Sequence, residues 1–159
     1  MKKLISYFLI IISMLGLGGC SKQYSSSSIN LKSEYIKSFS PSFAIDADKV
    51  TKVSIDLYNQ VISNKISEVG FNPQYRDFYK VEPQNADEKD FQDYIKEFAI
   101  NYSTLELDNS TIKAEQYLRD SGSRSKDDYD IFMGKYKIKV IEDLKNLKLN
   151  LDNIMEYYE

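Results

Sequence analysis

One thiol, no imidazole and an abundance of carboxylates and phenols set the chemistry open to this chain. Its 159 residues contain a single Cys (Cys20), no His, 24 Asp and Glu, and 13 Tyr. Nucleophilic catalysis by Ser or Cys needs a neighbouring base, most often His. A Ser–Lys pair is the remaining option, and no local context singles one out. Zinc would lack both imidazole and thiolate ligands, which leaves carboxylate binding of hard cations. Asp127, Asp128 and Asp130 form the one acidic cluster that invites such an ion. It lacks the Gly and the distal Glu of a calcium loop, and acids at a helix start complement the helix dipole without a metal. Glycosidase chemistry needs two opposed carboxylates across a cleft, but the acids here fall where a solvated helix face would carry them. The six Gly are scattered, with no phosphate-cradling loop. We therefore expect no catalytic residue, no cofactor and no metal site.

Cys20 has a specific setting. Lys2 and Lys3 precede an uninterrupted apolar run from Leu4 to Leu17, and Gly18 and Gly19 stand directly before the cysteine. A permanent membrane helix needs roughly 20 apolar residues. A positive start, a short apolar middle and a small-residue end mark a secretory signal. The alternative is an uncleaved anchor with a chance cysteine. Leu17-Gly18-Gly19-Cys20 resembles the lipobox of bacterial lipoproteins. That resemblance implies cleavage between Gly19 and Cys20 and a diacylglyceryl thioether on the Cys20 sulfur. One acyl chain binds a membrane only marginally, whereas two hold it stably.

Removal of residues 1–19 leaves a length suited to one domain, with no disulfide to brace it in an oxidising compartment. The formal charge of −3 becomes more negative by two once Lys2 and Lys3 are gone. This argues against a nucleic-acid partner, which requires a basic face. It also argues against electrostatic docking on anionic lipid, so the acyl chains are expected to do the anchoring. The expected partners are the membrane, through lipid on Cys20, and an envelope or extracellular protein.

Residues 20–42 are serine-rich and end near Pro41, so we expect a lipidated cysteine followed by a flexible tether. About 20 flexible residues span roughly 25 Å. The alternative is that part of it, from Tyr35 to Phe39, packs on the domain. Residues 43–159 are expected to be the helical domain. A first helix is predicted over 46–69, where Val50, Val53, Leu57 and Val61 recur at steps of three and four and Gly70 follows. Residues 71–85 form a proline-bounded connector too apolar for a bare loop, predicted to lie across the helices. Phe91, Ile95, Phe98, Tyr102 and Leu105 predict a second helix from near Asp87 to Arg119. Asp108-Asn109-Ser110 offers competing hydrogen bonds, but Ile112 keeps the phase, so continuity is expected. Asp120 to Arg124 reads as a turn, and Ser125 as the cap of a third helix over 126–158. Tyr129, Phe132, Tyr136, Val140, Leu144, Leu147, Leu151, Ile154 and Tyr158 carry its seam. The fold class is all-α: an antiparallel bundle of about three long helices.

Tyr94, Tyr102, Tyr117, Tyr129, Tyr136 and Tyr158 lie near these seams. They line either a binding surface or the core, and helical spacing favours the core. Several fragments resemble YiiG-like helical bacterial lipoproteins over residues 50–145. They are Leu57-Tyr58-Asn59, Tyr75 with Phe78-Tyr79-Lys80-Val81, Tyr117, Asp127-Asp128-Tyr129 and Gly134-Lys135. The resemblance implies an envelope lipoprotein with a helical domain and no established activity. The expected role is a non-catalytic, membrane-anchored protein-interaction module. The alternative is a lipoprotein that binds a small ligand or a metal, with an aromatic-lined pocket between helices.

Overall fold

The computed structural model describes residues 24–27, 29–63 and 72–159. The expected cleavage and lipidation at Gly19 and Cys20, and the expected helix stop at Gly70, lie outside these residues. Among the described residues the chain is all-α, with no strand. Its helices are α1 (Ser33–Ser38), α2 (Pro41–Ile62), α3 (Pro73–Phe78), α4 (Ala86–Asp120) and α5 (Lys126–Met155).

Helix α2 begins ahead of the expected Asp46. Pro41 occupies its first turn, where a missing N–H costs nothing and a fixed φ helps. Phe43 and Ala47 extend the apolar row backwards from Val50. Two polar residues, Thr51 and Ser54, complete the buried face. The Thr51 hydroxyl donates to Tyr158 Oη at 3.2 Å. Ser54 Oγ donates to the Val50 carbonyl and lies 2.8 Å from the Tyr75 hydroxyl. Both satisfy their hydrogen bonds internally, as burial demands. Val53 and Leu57, expected on the main seam, sit at its half-buried edge.

The connector contains α3, capped by the Asn72 side chain, which accepts from the Gln74 N–H at 2.9 Å. It buries Tyr75 and Phe78. Helix α4 runs unbroken through Asp108 to Ser110. Asp108 does not compete for the backbone because its carboxylate is engaged by Lys139 of α5. Gly122, at φ 78°, turns the chain between α4 and α5, a left-handed conformation that glycine adopts without penalty. Ser125 caps α5 by accepting from the Asp128 N–H at 3.1 Å. Helices α4 and α5 then run in opposite directions: Glu115 pairs with Arg124 just ahead of α5, Asp108 with Lys139 within it, and Phe91 meets Tyr157 just beyond its end. Helix α5 ends at Met155, short of the expected Tyr158, because the last residues turn back onto the chain ahead of α1.

That contact corrects the expected tether. Asn30 and Glu159 exchange backbone hydrogen bonds of 3.1 and 2.9 Å, and the Lys32 N–H donates to the Tyr157 carbonyl at 3.0 Å. Leu31 and Tyr158 form the one isolated bridge among the described residues. Phe39 is buried, and Tyr35 lies against Tyr157 with ring centroids 4.4 Å apart. The stretch is polar in composition, yet its few aromatics are placed to dock.

Glu88 binds three elements together. It is fully buried in the first turn of α4. One carboxylate oxygen accepts from the Ser40 N–H at 2.5 Å, just ahead of α2, and the other from the Gln84 N–H at 2.6 Å. Burial opposes its charge, but these two backbone donors outweigh it and hold its pKa below the ordinary value. Because the folded-state value lies below the unfolded one, the stabilisation is complete above about pH 5. It is lost as pH falls through the folded value. Glu88→Ala is expected to cost about 3 kcal/mol, from two hydrogen bonds that a buried carboxylate accepts from part-buried backbone N–H groups. Glu88→Gln should flatten the decline in stability as pH falls below about 5. Urea denaturation across that range checks both; an unchanged pH slope in Glu88→Gln contradicts the assignment.

Candidate functional site

The outward face of α4 differs from an ordinary solvated face. Ile100, Thr104, Leu107, Thr111 and Ala114 follow one another at steps of four and three, with Ser103, Ser110 and Tyr117 on the adjoining row. This spacing places them along one side of the helix. None carries a charge, although the same helix holds Glu106, Asp108, Lys113 and Glu115 elsewhere on its circumference. Ile100 is 49% exposed, Leu107 66% and Tyr117 73%. Thr104 donates its hydroxyl to the Ile100 carbonyl at 3.0 Å, and Thr111 to the Leu107 carbonyl at 2.9 Å. Each hydroxyl is thereby turned in towards the helix, which leaves the methyl group for contact. The row is roughly 25 Å long at 1.5 Å per residue. Near its start a shallow depression of about 480 Å³ opens between Tyr79, Lys96, Ala99, Ile100, Ser103, Thr104 and Leu107.

The buried charges nearby hold the helices together. Asp108 is buried, and both its oxygens accept from Lys139 Nζ, at 2.8 and 2.6 Å. The same ammonium donates to Asp143 at 3.0 Å. Burial pushes the Asp108 carboxyl upward, with Lys139 pulling against it. Burial likewise opposes the charge on Lys139, but Asp108 and Asp143 outweigh it and raise its value. An ammonium whose donors are taken by two carboxylates joins α4 to α5; it is not poised to transfer a proton.

The residues singled out above are dispersed. Tyr102, Tyr129 and Tyr158 are buried and Tyr94 and Tyr136 partly so. Tyr117 departs from the core reading and stands on the exposed row. Asp127, Asp128 and Asp130 are exposed in the first turns of α5, where Asp128 takes part in the Ser125 cap. Among the described residues no three His, Cys, Asp or Glu converge as a metal would require. No helix among them is long and apolar enough to cross a membrane. The α4 row escaped sequence reading because attention to apolar spacing finds the core side first. Its signal was the absence of charge at eight outward positions in a chain that is 28% charged.

Comparison with family models, with curated proteins and with solved structures gives no match to this chain.

Proposed function

We propose that the protein is an exported lipoprotein, cut ahead of Cys20 and held at a membrane by lipid on that cysteine, whose domain binds another protein through α4. We read the domain as an antiparallel bundle of α2, α4 and α5, and as non-catalytic because the sequence holds no His to serve as base to a Ser or Cys nucleophile. The α4 row carries this reading. An exposed, uncharged helix face rimmed by charged residues is the surface an amphipathic partner covers, and Tyr117 is of the residue type that anchors such contacts. The resemblance to YiiG-like lipoproteins agrees with the anchor and with the helical domain.

The test is affinity capture from native membranes with the full lipoprotein as bait, beside Leu107→Asp and Tyr117→Ser. Both sites are exposed, so folding should survive, with stability changes within about 0.5 kcal/mol. One partner should be recovered in stoichiometric amount with the wild type and fall about tenfold or more with Leu107→Asp. Equal recovery by both variants contradicts the assignment. The depression beside Tyr79 supports a second reading, a small apolar ligand seated at the start of the same row. A lipid or metabolite that co-purifies with the wild type and is absent from Leu107→Asp would favour it.

A further inference from the structure

We propose that the domain rests directly against the lipid surface through one face of α5, close to the point where the chain emerges towards Cys20. This rests on the reading of Cys20 as the lipidated residue. Its starting observation is Tyr24. The Tyr24 hydroxyl donates to Asp152 of α5, its ring meets Tyr58 of α2 edge-on at 6.3 Å, and its carbonyl accepts from Asn59 Nδ2 at 3.0 Å. The chain is therefore fastened to the groove between α2 and α5 only four residues after Cys20. Four residues reach at most about 14 Å even when fully extended. A free tether would have let the domain stand off in any orientation; this attachment brings the α2–α5 flank to the membrane.

The face that this places at the bilayer suits it chemically. Ile131, Ile138 and Lys145 follow at seven-residue steps along α5 to Asp152, the residue that holds Tyr24. Ile131 is 60% exposed, Ile138 70% and the neighbouring Leu149 58%. Aliphatic side chains among lysines fit an interface. The apolar groups enter below the headgroups, while the lysine stems extend along them to the phosphates. Helix α5 as a whole balances six lysines against six carboxylates, so the contact rests on its exposed aliphatic groups and on the short link to Cys20, not on net charge. Asp143 is paired with Lys139, and Lys148 with Asp152. The uncharged row of α4 points away from the core that α2 and α5 share. The same placement that sets α5 on lipid leaves α4 open to a partner.

Depth-dependent fluorescence tests this on the full lipoprotein, reconstituted into vesicles of phosphatidylethanolamine and phosphatidylglycerol. With Cys20 occupied by lipid, Ile138→Cys and Leu107→Cys each supply one site for an environment-sensitive dye. Headgroup spin labels should quench the dye at position 138 at least threefold more than at 107. Tyr24→Ala, which frees the chain ahead of α1, should reduce that difference. Equal quenching at the two positions, or stronger quenching at 107, overturns the proposal. Shielding of position 138 that persists in detergent and grows with protein concentration assigns the face to a second copy and overturns it too. Vesicle flotation and intact mass separate the two levels. If the chain floats with lipid on Cys20 but position 138 stays unquenched, only the orientation fails. If Cys20 bears no lipid, the anchor reading fails and the orientation falls with it.

Discussion

Phe91→Ala is expected to be the most destabilising single truncation described here, at about 3–5 kcal/mol. The Phe91 side chain is fully buried, and its ring lies 5.5 Å from Phe39, 6.1 Å from Phe43, 6.1 Å from Phe78 and 5.1 Å from Tyr157. Those partners belong to the α1–α2 junction, α2, α3 and the C-terminal segment, so one ring joins four parts of the fold to α4. Aromatic pairs of this kind add about 0.5–1.5 kcal/mol beyond area burial, and a cavity among stiff rings relaxes poorly. A single domain has roughly 5–15 kcal/mol in total, so the variant should sit close to the unfolding threshold. Its melting temperature should fall by about 10–20 °C. Ile100→Ala, on the exposed row, should change stability by less than about 0.5 kcal/mol. Thermal and urea unfolding followed by circular dichroism makes the comparison. Equal stabilities for the two variants would contradict the packing around Phe91.

The second large effect belongs to Cys20→Ala. On the proposed reading the lipid attaches through the only thiol in the chain, so its removal leaves no alternative site. Incorporation of labelled palmitate should fall to background, and the protein should leave the detergent phase on phase partition. The change should be large, because two acyl chains hold a protein stably at a membrane and their loss leaves only surface contacts. The folded domain itself should be unaffected, with the same helical signal and melting temperature as the wild type. Persistent acylation of Cys20→Ala would overturn the anchor.

Much of the helical layout was legible from residue types. The 3.6-residue spacing from Tyr129 to Ile154, the turn at Gly122 and the Ser125 cap locate α5 within a few residues. Continuity of α4 through Asp108 followed from the phase kept by Ile112, and Lys139 supplies the reason. What stayed hidden was set by contacts between distant residues. Pro41 reads as the end of a linker as easily as the first turn of a helix, and Phe43 and Ala47 decide between them only once α4 lies beneath. Tyr35 and Phe39 allowed docking of the tether only as the alternative, because they are too sparse among serines to give a period; they pack on the domain, and Tyr24 gave no such signal. Glu88 looks like one more acid at a helix start, and its role depends on Ser40, 48 residues earlier. The α4 row carries a pattern of absence, uncharged positions at helical spacing, which apolar periodicity alone passes over.

The most direct measurement is the intact mass and N-terminal fragment spectrum of the full chain purified from its native membranes. The expected result is a mature protein that begins at Cys20 and carries a diacylglyceryl group on the cysteine sulfur. A chain that still begins at Met1, or a Cys20 found as a free thiol, would contradict it.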